Sequence, residues 1–260
     1  MRAGAEVLYG TVGDFDNYKP YEWEDENRWD VNEAANVQML RDYNDFMRSH
    51  SWAQKSPTVR KLLSKPFTGG RVYTPYQNIA NRRVAIRTKT LLDGQPLVEC
   101  DFSANHPYML ARLTGNNFDP NFYQAIANVS GSSREEVKAV TTAALGCPSP
   151  KKAHQARYEL VRRGIHVDTV DRIISAAKVT YRWIEDHNIF FSNKGVYMQW
   201  LEGEIAMKMF NFALQNGIPM INIHDAYAVN RAHAAKVKTA MNVVRENVLE
   251  ANQSLYRRIY

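Results

Sequence analysis

Ile221-Asn222-Ile223-His224-Asp225-Ala226-Tyr227-Ala228-Val229 is the stretch that decides the fold. Ile221 and Ile223 before the turn, and Tyr227 and Val229 after it, alternate with the period of a strand, so the segment reads as an antiparallel hairpin folding back at His224-Asp225. A second strand-like run, Val98-Glu99-Cys100-Asp101-Phe102-Ser103, also carries one aspartate where its apolar run ends. If that strand lies beside the hairpin, the carboxylates of Asp101 and Asp225 converge. Two such carboxylates make a seat for divalent cations and hence for phosphoryl chemistry. An aspartate after a strand also serves as a turn former or a helix cap, so the surrounding pattern has to decide.

The chain has 260 residues, 45% of them hydrophobic and 11% aromatic, enough for one large core or two modest domains. Its net charge of +6 is unevenly spread: residues 1–30 hold eight acids against three bases, leaving a net of +11 for residues 31–260. That bias suits a polyanionic partner. Cys100 and Cys147 are the only cysteines, and neither has the spacing of a zinc site or of a disulfide framework, which points to a reducing compartment. No uncharged run approaches the ~20 residues of a membrane helix, and no signal peptide is apparent. A cytoplasmic protein of a bacterial or phage-infected cell, with no membrane partner, is the expectation.

Residues 1–31 are acidic, with no sustained period, and read as an irregular arm. Glu33–Ser49 reads as a helix and Thr58–Ser64 as a second, short one. After the break at Pro66, Gly69 and Gly70 comes a loop with several basic residues, 71–89, and then the turn Asp93-Gly94-Gln95-Pro96. From Ser133 the pattern is helical, with Ser133 and Glu136 as a capping box and Gly146 and Pro148 as a stop. Arg134, Lys138 and Leu145 fall on one face of that helix, at spacings of four and seven. Asp168–Asp186, Leu201–Gln215 and Ala232–Asn252 read as further helices; Leu201, Ile205, Met209 and Phe212 give the second of them its stripe.

Taken in order, several short motifs resemble the polymerase core of family A DNA polymerases and single-subunit RNA polymerases. Gly70-Arg71, Tyr76-Gln77-Asn78-Ile79, Arg82-Arg83 and Ile86-Arg87 leading into Asp101-Phe102-Ser103 are similar to the approach to motif A. Arg134 and Lys138 ahead of Leu145-Gly146 resemble motif B, the helix that grips an incoming triphosphate. Tyr197-Met198-Gln199 resembles the Met-Gln segment before motif C, and Ile223-His224-Asp225 resembles motif C itself. The similarity covers roughly residues 69–250; no one motif is specific, but the ordered set is.

The resemblance implies an α+β fold: an antiparallel polymerase palm sheet packed by helices (69–113 and 195–260), reduced helical fingers (114–194) and a small N-terminal helical segment (1–68) in place of a thumb. It implies a phage-like or mobile-element nucleotidyltransferase, a DNA polymerase or else a primase or RNA polymerase, that extends a 3′-hydroxyl by two-metal-ion chemistry. Asp101, Asp225 and the backbone carbonyl of Phe102 would hold two Mg²⁺ ions, with Mn²⁺ as a substitute. Ser103, His106, Arg134, Lys138 and Leu145 would meet the nucleoside triphosphate. Arg71, Gln77, Asn78, Arg82, Arg83, Gln199 and His224 would line a DNA or RNA primer-template, with replication proteins as further partners.

Three positions depart from the family pattern. His106 stands where the DNA enzymes have a sugar-excluding glutamate, Ala226 follows Asp225 where they have a third carboxylate, and Leu145 replaces a stacking aromatic ring. A palm-derived nucleic-acid-binding replication protein with weak catalysis is therefore the alternative. A two-metal nuclease is the third reading, less favoured because it has no use for the Arg134 and Lys138 pair.

Overall fold

The computed structural model of the chain describes residues 7–10, 19–20, 32–52, 57–63, 67–79 and 87–260. Strands β1 (Val7–Gly10) and β2 (Lys19–Pro20) come first, then helix α1 (Asn32–Arg48) and strands β3 (Val59–Leu63), β4 (Gly69–Tyr73), β5 (Leu91–Leu92) and β6 (Gln95–Asp101). Seven helices follow: α2 (Asn105–Leu113), α3 (Phe122–Ser130), α4 (Arg134–Gly146), α5 (Ala153–Arg162), α6 (Val167–Thr180), α7 (Trp183–Asp186) and α8 (Lys194–Asn216). The hairpin β7 (Met220–Ile223) and β8 (Ala226–Asn230) precedes the final helix α9 (Ala234–Ile259). The fold is α+β, and among the described residues no helix is long and apolar enough to cross a membrane.

The chain forms two compact units, neither of them contiguous: residues 1–102 with 199–248, and residues 103–198 with 249–260. The first unit holds both sheets. One has the order β2-β1-β3-β4, with β1 parallel to β3, and the other, β5-β6-β8-β7, is antiparallel throughout. The helical unit contains α2 through α7 and both chain passages at the start of α8 and the end of α9, so α2, read above with the sheet, belongs here.

Two expectations for the N-terminal part are corrected. Residues 1–31 are not wholly irregular, because β1 and β2 pair within the first sheet. Residues 59–63 form a strand rather than a helix, with Arg60 and Leu62 turned inward at alternate positions. The buried residue is a charged one: Arg60 is fully buried, its Nε donating to the Gly70 carbonyl (3.0 Å) and its Nη2 to Glu204 (2.7 Å). A buried arginine removes the apolar alternation by which a strand is recognised. The basic stretch 71–89 begins in β4 and contains 3₁₀ turns at Pro75–Asn78 and Arg87–Lys89; Arg82 and Arg83 lie outside the described residues.

Helix α8 fastens the first sheet through three consecutive residues. Glu202 takes Arg71 of β4 (2.6 Å), Glu204 takes Arg60 of β3, and between them Gly203 lets the helix backbone meet the backbone of Gly70. A methyl group at Gly203 would sit on the Gly70 carbonyl oxygen, with the Arg60 guanidinium on its other side. Helix α1 closes the other side of the core with Val37, Leu40, Tyr43 and Met47, one stripe at helical spacing. The Tyr43 ring stacks on Phe210 of α8 (3.9 Å between centroids), and its hydroxyl donates to the Met220 carbonyl at the start of the hairpin.

In the helical unit the capping box is present. Ser133 Oγ accepts from the Glu136 amide (3.2 Å), and Glu136 accepts from the Ser133 amide (2.8 Å). The helix read over 168–186 is instead two. Tyr181 leaves helical geometry because its ring stacks on Phe122 of α3 (4.8 Å) and its hydroxyl donates to Asp119 (2.6 Å).

The backbone contact at Gly203 yields a prediction. Gly203→Ala should destabilise the protein by about 2 kcal/mol or more, since overpacking against backbone cannot be relieved by a rotamer change. Gly146→Ala, at an open position in α4, should be neutral or stabilising by up to about 1 kcal/mol. Urea unfolding of the two variants beside wild type measures both; equal midpoints would contradict the contact.

Candidate functional site

Asp101 is the last residue of β6, and its partner across the ladder is Ala226, the first residue of β8. Ala226 pairs on its other side with Ile223, so only His224 and Asp225 form the turn between β7 and β8. Asp101 and Asp225 therefore stand at the same end of adjacent strands, one register step apart. Glu99 lies on the same face of β6 as Asp101, while Cys100 turns inward opposite Tyr227. Asp101 is exposed and Asp225 half-buried.

The turn is held from several sides. His224 has φ +58°, a conformation that costs an L-residue about 1 kcal/mol or more. Asn222 Nδ2 donates to the His224 carbonyl (2.9 Å), and Thr74 Oγ1 at the end of β4 donates to the Asn222 carbonyl (2.9 Å). The His224 ring meets Tyr73 edge-on at 6.1 Å. Because β4 and β7 are thereby linked, the first sheet carries Arg71 and Tyr73 toward the aspartate end of the second.

The cations near this turn are partly spoken for. Burial opposes the Arg71 charge, but the attraction and hydrogen bond of Glu202, with smaller contributions from Tyr73 and Asp225, hold its pKa above the ordinary value. Arg87 makes a two-point contact with Glu99 (2.7 and 3.1 Å). Arg245 of α9, itself buried, lies over the ring of Phe102 at 4.3 Å. Burial lowers the His224 pKa, Arg71 and Arg87 lower it further, and Glu202 works in the other direction. The Nδ1 of His224 and the Oε1 of Gln77 are both buried without a hydrogen-bond partner among the described residues, and orphaned polar atoms of this kind call for a ligand, water or ion.

Among the described residues no group of three or more His, Cys, Asp or Glu side chains is arranged to hold a metal. Glu202 and Glu99 are committed to Arg71 and Arg87. Asp101 and Asp225 form the carboxylate pair at the turn end of the sheet. Such an oxygen-only set of one or two carboxylates, completed by substrate phosphates and water, fits Mg²⁺; it does not fit zinc, which takes sulfur and nitrogen ligands.

The other expected site residues divide by unit. With the aspartates in the sheet unit are Arg71, Gln77, Asn78, the half-buried Gln199, Phe102 and His224. Ser103, His106, Arg134, Lys138 and Leu145 belong to the helical unit. There, Arg134 and Lys138 are exposed one turn apart on α4, and Arg134 reaches over the Tyr123 ring (5.6 Å). Leu145, expected on the same face as Arg134 and Lys138, is instead buried, 4% exposed, on the inward face of α4, because its apolar side chain joins the core while the two cations stay in solvent. Glu202, Tyr73 and Arg245 escape notice in the sequence. Glu202, three residues after Gln199 on the same helix, could have been found by asking which acid balances Arg71. No protein-family model matches the chain, and no curated protein matches it.

His224 gives this site a pH signature. A depressed imidazole pKa means that the unfolded chain takes up a proton first as pH falls below 6.5, the ordinary value. The neutral, half-buried His224 should thus contribute full stability above that pH and progressively less below it. Asn tolerates positive φ, so His224→Asn should keep the turn and lose less stability than wild type between pH 7.5 and 5.5. Urea titrations at the two pH values test this; identical losses would refute it.

Proposed function

We propose that the chain is a template-directed nucleotidyltransferase that extends a 3′-hydroxyl, with Asp101 and Asp225 at its centre. The observation that carries the reading is the β6–β8 register, which sets two carboxylates at one sheet end beside a turn bearing His224. Asp101, Asp225 and the backbone carbonyl of Phe102 would hold divalent ions, and Mg²⁺ bound there supplies activation of the attacking hydroxyl and charge neutralisation at the leaving pyrophosphate.

The chain's own residues do the rest. Arg71, held in its charged state by Glu202, offers a fixed positive charge toward a nucleic-acid backbone. His224, neutral at physiological pH, and Gln77 present unused buried polar atoms for a base edge or sugar. Arg134 and Lys138 are assigned to the triphosphate, whose charge they would neutralise. His106 is assigned to the sugar of the incoming nucleotide.

Primer extension tests the reading. In Mg²⁺, with primed or unprimed template and deoxy- or ribonucleotides in turn, wild type should extend a primer, and Asp225→Asn should be slower by about 1000-fold, the kinetic equivalent of several kcal/mol. No extension under any condition, or equal rates, would overturn it; shortened product would point to a nuclease. His106→Glu should bias incorporation toward deoxynucleotides, and an unchanged preference would remove His106 from the sugar position.

The set of only two carboxylates, with Ala226 after Asp225 and with Leu145 buried, favours a second reading: a nucleic-acid-binding replication protein of weak catalysis. Template binding without extension is its signature.

A further inference from the structure

The helical unit contains a cavity of about 340 Å³ that the nucleotidyltransferase reading does not use. Its walls come from the end of α2, the segment Asp186–Asn188, the first residue of α8 and the end of α9. Lys194 is the unusual member, only 4% exposed, with no carboxylate within ion-pairing distance among the described residues. Its ammonium donates to the Asn188 carbonyl (3.1 Å) and Ser192 Oγ (3.2 Å) and faces the Tyr260 ring at 4.8 Å. Those contacts satisfy its hydrogens but leave its charge unbalanced, and burial pushes its pKa down.

Three further features belong to the same wall. Tyr256 is 4% exposed, and its buried hydroxyl has no hydrogen-bond partner among the described residues. Arg257, one residue on, lines the cavity and has no carboxylate partner among the described residues. Lys194 opens a 23-residue helix, whose N-terminal end carries a partial positive charge. Asp186 is the only acidic side chain in the wall, set against the cationic side chains of Lys194 and Arg257. Tyr256 and Tyr260, with ring centroids 5.3 Å apart, add aromatic surface for a flat body.

We propose that this cavity binds a phosphomonoester of nucleotide size, with the phosphate received by Arg257 and the Tyr256 hydroxyl in the field of Lys194, and the base lying against the tyrosines. The two cationic side chains, Lys194 and Arg257, favour a dianion. The volume lies at the lower end of small-ligand sites, where a mononucleotide fits and a dinucleotide does not.

The test is calorimetric titration of the full chain with AMP, inorganic phosphate and adenosine in EDTA, so that metal-dependent phosphate binding at Asp101 and Asp225 does not contribute. AMP should bind more tightly than phosphate, and adenosine should not bind measurably. Arg257→Glu, at an exposed position, should weaken AMP at least about tenfold. Tyr256→Phe should weaken it about fivefold while leaving the melting temperature of the ligand-free protein unchanged or higher, because the unpartnered hydroxyl is gone. Adenosine binding as well as AMP, undiminished AMP binding by Arg257→Glu, or no AMP binding to wild type would each overturn the proposal. Primer extension plays no part in these outcomes, so failure here and failure of the polymerase reading are separate results.

Discussion

Side chains alternate along a strand, so a one-residue slip of β6 against β8 would carry Asp101 to the opposite face of the sheet and bury Glu99 with it. What forbids the slip is the contrast within three consecutive residues: Cys100 is fully buried opposite Tyr227, whereas Glu99 and Asp101 are exposed. The register is therefore set by the cost of burying two carboxylates, and the same register puts Asp101 beside the turn that bears Asp225. The hairpin is pinned in its turn by backbone carbonyls, Met220 by Tyr43 and Asn222 by Thr74. Small displacements of α1 or β4 would thus be felt at the aspartates.

The charged groups of the sheet unit form a graded set. Arg60 lies deep, with the half-buried Glu204 beside it, and the pair serves the fold; removing Glu204 would strand the buried Arg60 charge at a cost of about 3–5 kcal/mol. Arg71 and Glu202 lie nearer the turn, where Arg71 also senses Asp225. Asp101 lies outermost. Glu202 and Glu204 belong to one helix turn, so α8 supplies the counter-charge for Arg60 and for Arg71 from residues two apart.

Much of the sheet and of the site was legible in the sequence, for local reasons. The hairpin announced itself through Ile221, Ile223, Tyr227 and Val229, the capping box through Ser133 and Glu136, and the aspartate pair through its place at strand ends. What could not be read depends on partners far along the chain. Strand β3 was hidden because Arg60 becomes a core residue only when Glu204, 144 positions later, supplies its counter-charge. Helix α5 gave little signal because among its residues only Ala153 and Leu160 are buried. The break at Tyr181 needed Phe122 and Asp119, and the importance of Glu202 needed Arg71. Helices α8 and α9 run on past their apolar stripes because each continues from one unit into the other and changes the neighbours it packs against.

The pairing of Asp101 with Ala226 joins residues separated by 124 others. During synthesis β6 is complete long before β8 exists, and until the hairpin emerges its inner edge, with Val98 and Cys100, has no ladder to join. An unpaired edge is a template for wrong partners, and closing so long a loop delays the native pairing. The charges of Glu99 and Asp101 interrupt that edge at every second position, which blunts its tendency to add strands from other chains. The carboxylate at the centre of the candidate site thus has an earlier task, keeping a waiting strand soluble until its partner arrives.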